Sequence, residues 1–455
     1  MGLSVKSARQ KKTIDISDYY AVRIRPLWEG LKQESPAFWW LCIYVFLEYF
    51  RPQSIYPAID VIPWLQLSVL IALVAAVMDP KVKWVSNTGN VYFLLFVGVI
   101  VISSVFAFMP TKSLDKINII INWIILYFLV VNVVTTEKRL IIFMLMFLLI
   151  NFKMSQHGFI SYAQRGFGYA KWGLSGSPGW FQNAGDFGIQ MVIYFPLAMS
   201  FILALRSHWG RIKRLLFYLM PFTALVCVIG SASRGAQLGL AAMGAWFLLK
   251  SRGGLKATLM ILLVGWALYS FLPEQMLEEF HAAGEDNTSK ERLALWDYGM
   301  TVVRDNPVLG VGYENWIDYC WYRYHSPGGL EGVRWCLTTH NTYLLAAAEL
   351  GYPGLLLYVA MIILILVMNA RTRRLARRSG NKLFGYLAHG LDGGIIAYIV
   401  SSFFFTVLYY PIFWLQLGMT VALFNIAKKQ KCDAKSEHAQ SARNASAKPS
   451  MGGHG

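Results

Sequence analysis

Arginine and histidine side chains recur in one polar, aromatic stretch of the chain, residues 291–354, which lies between long hydrophobic runs. It reads ERLALW from residue 291, DNPVLGVGYENW from residue 305 and HNTYLLAAAELGYPG from residue 340. A guanidinium group binds phosphate oxygens bidentately and keeps its charge, so arginines can neutralise a diphosphate leaving group as a metal ion would. A histidine titrates near neutral pH and can accept a proton from a hydroxyl group. This stretch therefore predicts a site for a phosphorylated ligand beside a general base.

His340 is the candidate general base, and Asn341 after it is expected to cap the following helix or to position the ring. In the alternative, the imidazole of His340 only hydrogen-bonds backbone at a helix start. Arg292 is a candidate phosphate ligand from the same stretch, and Arg234 is a second one in the segment SASRGAQ. An arginine at the edge of an apolar run is costly to place in a membrane unless it is paired or faces a polar cavity. Function is therefore favoured for Arg234 over simple snorkelling.

The connection 156–186 is rich in glycine and aromatic residues and holds Arg165 and Lys171. Glycine lets the backbone approach a ligand closely, and aromatic rings suit either sugar stacking or a membrane interface. Arg165 and Lys171 in this connection are therefore further candidate substrate ligands. Arg323, in the stretch 291–354, is another. A plain interfacial or re-entrant loop at 156–186 is an equally open alternative.

The five cysteines do not form a metal framework, and the sequence contains no CxxC or HExxH motif. We therefore expect no protein-bound catalytic metal and no cofactor. Cys320 and Cys336 both lie in the stretch described above, where an oxidising compartment would permit a disulfide. Two free thiols are the alternative.

The elements that must position these residues are membrane helices. Hydrophobic residues make up 56% of the 455 residues, charged residues only 15%, and the mean hydropathy is +0.44. This composition is typical of an all-α polytopic membrane protein and excludes an ordinary soluble domain. Since about 20 apolar residues span the hydrocarbon, the chain predicts about twelve transmembrane helices, at 37–50, 62–79, 91–109, 117–135, 140–155, 187–205, 215–232, 235–249, 256–272, 353–370, 388–408 and 411–427.

Basic residues are distributed as the positive-inside rule requires. The formal net charge is +17, and basic clusters recur in alternate loops, at 79–84, 136–139, 206–214, 250–256, 371–378 and 428–431. The charge therefore indicates cytoplasmic termini rather than nucleic-acid binding. The predicted organisation is a cytoplasmic segment 1–36, a membrane domain 37–272, a large, partly helical outward loop 273–352, a membrane domain 353–427 and a disordered cytoplasmic tail 428–455.

Some residues of the stretch are expected to be structural. Pro307, Gly310 and Gly312 should form a turn, and Gly351, with Pro353 and Gly354 after it, should break a short outer helix from the next span. Glu349 is also expected to be structural. Asp392 lies in the apolar run 388–408, where pairing with a helix terminus or with His389 is favoured over a proton or ion path.

The motifs SRG, R-x3-W, DNPVLGVG and HN-x-YL, followed by E-x-G-x2-G, occur here in the order found in the O-antigen ligase and O-antigen polymerase family of membrane glycosyltransferases. Residues 187–370 resemble that family. The segments EYFRPQSIYP (48–57) and SGSPGWFQNAGDFG (175–188) resemble members found beside exosortase and exopolysaccharide loci. The resemblance implies a C-type membrane glycosyltransferase-like fold whose large loop is periplasmic, in the bacterial inner membrane.

The resemblance also implies a chemistry. Family members move a glycan from an undecaprenyl-diphosphate carrier to an acceptor hydroxyl, without a metal and with inversion. The acceptor is lipid A core in ligases, a second lipid-linked glycan in polymerases and a protein in O-oligosaccharyltransferases, and a ligase is favoured here. Arg234 and Arg292 match the arginines that bind the diphosphate, and His340 matches the histidine that activates or orients the acceptor. Members often carry two adjacent histidines, whereas Thr339 precedes His340, so His325 would have to supply a second one.

A transporter or flippase of lipid-linked glycans is the alternative from another class. Such proteins often show related halves with paired broken helices, and no such repeat is visible in this sequence. An outward loop with ordered motifs also suits an enzyme better than a transporter.

Overall fold

The computed structural model describes residues 15–168, 172–250, 287–325 and 336–446, together with the single positions 259, 263 and 265. All regular elements in these ranges are helical. The α-helices are Ile16–Tyr20, Ile24–Lys32, Pro36–Phe50, Pro52–Ile55, Trp64–Met78, Thr88–Val105, Pro110–Asp115, Ile117–Val133, Glu137–Gln164, Ala184–Leu205, Arg211–Gly230, Arg234–Lys250, Asn287–Asp305, Trp316–Tyr324, Thr342–Ser379, Lys382–Ser401 and Pro411–Ser446. Short 3-10 turns occupy Pro57–Ile59 and Arg206–His208.

Six helices in the described part of the chain are long and apolar enough to cross a membrane: Thr88–Val105, Glu137–Gln164, Ala184–His208, Arg211–Gly230, Thr342–Ser379 and Lys382–Ser401. Two shorter apolar helices, Trp64–Met78 and Ile117–Val133, accompany them. A polytopic α-helical membrane protein is therefore confirmed. The count of twelve stays a prediction, since the stretch 256–272 lies almost wholly outside the described residues.

The centre of the helix bundle is formed by Ala184–His208 and Lys382–Ser401, which have the largest buried share among the six spans. Small residues allow their close approach. A Cβ atom on Gly390 would lie 2.8 Å from the Cβ of Ser200, and one on Gly393 would lie 2.8 Å from the Cβ of Pro196. Close packing of this kind replaces the hydrophobic effect as the force between helices in lipid.

The sequence predicted one continuous helix over the apolar run 388–408, but the structure does not contain it. The helix ends at Ser401 and is followed by an irregular segment, residues 402–410, before the next helix begins at Pro411. Thr342 stabilises this segment, because its backbone N–H donates to the Ser402 carbonyl at 2.9 Å and its Oγ1 donates to the Phe405 carbonyl at 2.6 Å. Non-helical backbone persists at such depth only where protein groups satisfy it. We call residues 402–410 the linking segment.

Two further expectations are corrected. The helix that begins at Pro411 continues to Ser446, so the disorder predicted from residue 428 is wrong as far as Ser446. Its Ala, Lys, Gln and Glu content explains this, because these residues have high helix propensity. Asp392 is paired, but with Arg373, which donates a hydrogen bond to its Oδ2, and not with the expected helix terminus or His389.

Candidate active site

The helix Asn287–Asp305 carries the predicted arginine, Arg292, and the loop before Thr342 carries the predicted histidine, His340. A hydrogen bond joins this helix to this loop. Trp296 Nε1 donates a hydrogen bond to the Thr339 carbonyl at 2.9 Å. Residues four apart lie on the same face of a helix, so the contact of Trp296 brings Arg292 to the side of the helix that faces the loop. The charge of Arg292 is close enough to His340 to lower the pKa of that ring. The structure therefore places Arg292 and His340 together.

His340 lies at the start of the long helix Thr342–Ser379, where Asn341 is the cap. Asn341 Oδ1 accepts from the backbone N–H groups of Tyr343 and Leu344, both at 3.0 Å, which confirms the expected capping role. His340 itself has a φ of 46°, a left-handed conformation that non-glycine residues rarely adopt. Its imidazole makes no hydrogen bond within the described residues. The structure therefore does not support the alternative in which the His340 ring only hydrogen-bonds backbone.

The protonation state of His340 follows from its surroundings. Burial and then the positive charge of Arg292 lower the pKa of the imidazole to about 4. Both causes disfavour the charged ring, because burial removes hydration and a neighbouring cation repels a second one. At neutral pH the imidazole is therefore uncharged and able to accept a proton.

Arg234 begins the helix Arg234–Lys250, and the turn that carries it packs on the linking segment. Ser401 Oγ donates to the Gly235 carbonyl at 3.0 Å, and a Cβ atom on Gly235 would lie 2.9 Å from the Cβ of Phe404. The ring of Phe404 also faces that of Trp296, with 6.5 Å between centroids. The linking segment therefore connects the Arg234 turn to the helix that carries Arg292.

Arg165 belongs to a loop that packs beside the same turn. Its Nη1 donates to the Gly173 carbonyl at 3.4 Å. Gly173 has a φ of 58° and lies so close to the turn before Arg234 that a Cβ atom would be 2.2 Å from the Ser231 carbonyl oxygen. Arg165 and Arg234 are thus carried by adjoining loops, while Lys171, predicted with them, lies outside the described residues.

Arg323 and His325 lie at the end of the helix Trp316–Tyr324. Arg323 is exposed, and its charge acts on Tyr298, a buried phenol whose pKa burial raises. The Nδ1 atom of His325 lies 2.9 Å from the Trp321 carbonyl oxygen. The described contacts thus give no support to His325 as a second catalytic histidine or to Arg323 as a phosphate ligand, and both roles stay predictions.

Cys320 and Cys336 form a disulfide, with 5.6 Å between their Cα atoms, which decides between the two alternatives left by the sequence. The bond connects the helix Trp316–Tyr324 to the segment that leads into His340. A second link runs parallel to it, because Trp316 Nε1 donates to the Leu337 carbonyl at 2.8 Å. The loop before the candidate base is therefore fixed from one side by these contacts and from the other by Trp296.

The DNPVLGVG motif folds against the break in the long helix. Backbone hydrogen bonds join Val311 N–H to the Ala348 carbonyl at 2.8 Å and Gly312 N–H to the Glu349 carbonyl at 3.0 Å. Gly351 interrupts the helix with a φ of 68° and a ψ of −175°. A Cβ atom on Gly310 would lie 2.3 Å from the Glu349 carbonyl carbon. These glycines thus have the structural role that the sequence predicted.

A cavity of about 170 Å³ is lined by Thr338, two residues before His340, and by part of the linking segment. Thr338 and Thr406 form part of its wall, and Trp180, Tyr410 and Glu314 form another part. Thr406 Oγ1 lies 3.4 Å from Thr339 Oγ1, one residue before His340. The cavity therefore shares a wall with the peptide that carries the candidate base.

Glu314 was missed as a site residue. It lies two residues after the second glycine of DNPVLGVGYENW and has a φ of 58°, in the left-handed region. Burial raises the pKa of its carboxyl group, against an opposing effect of Lys116. The second carboxylate of the cavity, Glu349, accepts from the Trp316 backbone N–H at 3.0 Å and from the Tyr409 hydroxyl at 2.8 Å. A carboxylate two residues after a pair of glycines was the sequence signal that could have identified Glu314.

Comparison with known families gives a match for the part of the chain that contains Arg234, Arg292 and His340. Residues 219–359 match the family model described as O-antigen ligase. This part of the chain belongs to the O-antigen ligase family. A comparison with curated proteins finds no match.

The O-antigen ligase domain contains Arg234, Arg292 and His340, the three residues that the resemblance singled out as catalytic. Arg165 and Trp180 precede the matched range, and the linking segment follows it. The motifs of the domain are therefore held together by parts of the chain outside it, since Phe404 of the linking segment contacts the Arg234 turn and Phe405 accepts a hydrogen bond from the start of the helix Thr342–Ser379.

Proposed function

We propose that this protein transfers a glycan from an undecaprenyl-diphosphate carrier to an acceptor hydroxyl on lipid A core or a similar glycan, at the periplasmic face of a bacterial inner membrane. The observation that carries the proposal is the pairing of Arg292 with an uncharged His340 inside the O-antigen ligase domain. A fixed cation beside a neutral base is the combination that displacement of a diphosphate requires.

The arginines bind the leaving group. Arg292 lies beside His340, and Arg234 and Arg165 lie on adjoining loops that the linking segment connects to it. Guanidinium groups hold two phosphate oxygens each and gain strength where water is excluded. In this proposal they neutralise the charge that develops on the diphosphate, with Lys171 as a further candidate.

His340 accepts the proton of the acceptor. The acceptor oxygen attacks the anomeric carbon, the bond from that carbon to the diphosphate oxygen breaks, and the hydroxyl proton passes to a ring nitrogen of His340. The electron pair of the broken bond stays on undecaprenyl diphosphate, which leaves. Direct displacement inverts the anomeric centre. The left-handed backbone of His340 and the cap formed by Asn341 fix the direction from which the ring approaches.

The cavity lined by Thr338 and Thr406 is the place for a sugar ring of the acceptor in this proposal. Trp180 and Tyr410 supply aromatic faces 4.7 Å apart between centroids, and Glu314 supplies a carboxylate that accepts from sugar hydroxyls. Thr338 and Thr406 supply hydroxyl groups. Since one water needs only about 10–15 Å³ of such space, a cavity of about 170 Å³ has room for a small polar ring.

A reconstituted assay tests the function. Purified protein is given an undecaprenyl-diphosphate glycan in detergent with EDTA, and in turn lipid A core, no added acceptor, or candidate glycoproteins. Product on lipid A core supports the ligase. Ladders without an added acceptor would instead indicate an O-antigen or exopolysaccharide polymerase, and product on protein an O-oligosaccharyltransferase.

Two outcomes would reject the chemistry itself. Inhibition by EDTA that added Mg²⁺ reverses would reject a reaction driven by arginines alone. No product with any acceptor, together with movement of the lipid-linked glycan across liposomes, would assign the protein to the transporters.

A further inference from the structure

Basic side chains converge on a groove at the end of the long helix that lies opposite His340. One cavity, of about 450 Å³, is lined by Arg371, Arg374, Arg378, Lys428 and Lys431. A larger one, of about 590 Å³, adds Lys81, Lys83 and Lys429. The two cavities share Arg371, Phe424, Lys428 and Cys432 and are therefore continuous. We call them the basic groove.

Within the described residues, the charge of the basic groove has no ion-pair partner. None of its eight cations forms an ion pair with another described residue, and no carboxylate lines either cavity within the described ranges. The nearest acidic groups in sequence are Asp79, which accepts from the backbone N–H of Lys81 at 2.9 Å, and the exposed Asp433, and neither forms an ion pair with a cation of the groove in the described structure. Like charges that line one cavity repel one another unless an anion lies between them. The positive charge of the groove therefore favours an anionic ligand.

Three parts of the chain supply these cations. Lys81 and Lys83 lie between Trp64–Met78 and Thr88–Val105, while the arginines end Thr342–Ser379 and the lysines follow the apolar start of Pro411–Ser446. The positive-inside rule requires only that basic residues lie in the cytoplasmic loops. Convergence of three separate segments on one concave surface is a further property that the positive-inside rule does not explain.

The wall of the groove is suited to a lipid. Leu364, Met368, Leu375 and Phe424 line it below the basic rim. Asn425, also in the wall, has a buried Nδ2 donor without a hydrogen-bond partner in the described structure. A cationic rim above an apolar wall matches a phosphate headgroup above its acyl chains, and the Asn425 amide is a further donor for an ester or phosphate oxygen.

We propose that the basic groove binds the headgroup of an anionic phospholipid of the cytoplasmic leaflet. This site is separate from the proposed glycan site. Gly351 interrupts the helix that leads from Asn341 to Arg371, and beyond this break the 20 residues from Tyr352 to Arg371 at about 1.5 Å each extend roughly 30 Å, about the thickness of the hydrocarbon core. The inference therefore does not depend on the glycosyltransferase activity.

Lipid retention by the full-length protein tests the proposal. The detergent-purified protein is stripped of lipid, and its binding of phosphatidylglycerol, cardiolipin and phosphatidylcholine is measured by native mass spectrometry. Binding of the two anionic lipids in preference to phosphatidylcholine is expected. The triple variant Arg371→Gln, Arg374→Gln, Arg378→Gln should weaken that binding roughly 100-fold.

A matched control removes the same number of charges elsewhere. Arg206, Arg211 and Lys382 are exposed basic residues of the same predicted membrane face that do not line the groove. Changing these three to Gln should leave anionic-lipid binding within about twofold of the parent. If the arginine triple does not fold, Lys428→Gln with Lys431→Gln removes two rim charges, and should weaken binding roughly 30-fold.

Three results would overturn the proposal: equal binding of phosphatidylcholine, equal loss in the groove variants and the control triple, or full competition by millimolar inorganic phosphate. The last result would identify a site for free phosphate and not for a lipid. Loss of glycan transfer with lipid binding intact would argue only against the proposed function.

Discussion

Burial and the charge of Arg292 both favour the neutral imidazole of His340 and lower its pKa to about 4. A ring that acts as a base is active only when unprotonated. We therefore expect the transfer rate to be level between roughly pH 6 and 8 and to fall as the pH drops through about 4. His340→Ala should lower the rate roughly 10²–10⁴-fold. Initial rates across this pH range measure both effects, and a rate that rises on acidification would reject His340 as the base.

In the proposed reaction Arg292 has two separable effects, one on the diphosphate and one on His340. Arg292→Ala should lower kcat roughly 10²–10³-fold, because a preorganised group facing developing charge is lost. The pKa of His340 should rise above about 4 but stay below 6.5, because burial continues to lower it. NMR titration of the histidine measures this shift. Arg304→Ala, an exposed change on the same helix, is the control, and full activity of Arg292→Ala would reject the diphosphate role.

Trp180 tests the proposed acceptor cavity. Trp180→Ala removes an aromatic face from the cavity wall, so KM for the acceptor glycan should rise about tenfold or more while KM for the lipid-linked donor stays near the parent value. Trp172→Ala, at an exposed position of the same loop, should change neither constant. A rise in both KM values for Trp180→Ala would indicate a general distortion of the site and not an acceptor contact.

At the scale of elements, the break in the long helix positions the glycine-rich motif. Gly351 has a φ of 68°, and a Cβ atom there would lie 2.4 Å from the Val308 carbonyl oxygen. Gly351→Ala should therefore destabilise the protein by at least about 1–2 kcal/mol. Gly98→Ala is the matched control, since nothing lies within 4 Å of its added Cβ in the helix Thr88–Val105. Thermal unfolding in detergent compares the two variants, and equal melting temperatures would contradict this account.

The sequence was informative where a local rule decides the structure. Asn341 could be predicted as a cap and Gly351 as a helix break, because both depend on backbone geometry within a few residues. The linking segment could not be found this way. Its sequence SFFFTVLYY is as apolar as a membrane helix, and what ends the helix at Ser401 is a set of tertiary hydrogen bonds from Thr342.

The candidate site shows the same division. Arg234, Arg292 and His340 were identified from motif types and order, but Glu314 and Trp180 were not assigned to the site. Their proximity depends on contacts between segments far apart in the chain, such as the wall they share with Thr406. The partner of Asp392 was missed for the same reason, since Arg373 lies on the neighbouring helix and nearly a helix length away in sequence.

At the scale of the whole molecule, the proposed glycan site and the basic groove should face opposite compartments. In a variant that retains only the Cys320–Cys336 disulfide, single cysteines replace Asp297 or Ser379, both exposed positions. A membrane-impermeant maleimide should label Asp297→Cys in cells whose outer membrane has been opened and whose inner membrane is intact. It should label Ser379→Cys only after the inner membrane has also been permeabilised. The parent without added cysteines is the control, and labelling of both from one side would overturn the topology.

The contact between Arg373 and Asp392 joins two helices that follow each other directly in the chain, Thr342–Ser379 and Lys382–Ser401. A lone aspartate at the centre of a helix opposes transfer into lipid by about 2.5–3.5 kcal/mol. That opposition falls when the arginine of the preceding helix enters at the same time. We therefore expect the first of these helices to stay at the translocon during synthesis until the second has been made, so that both enter the bilayer as a hairpin.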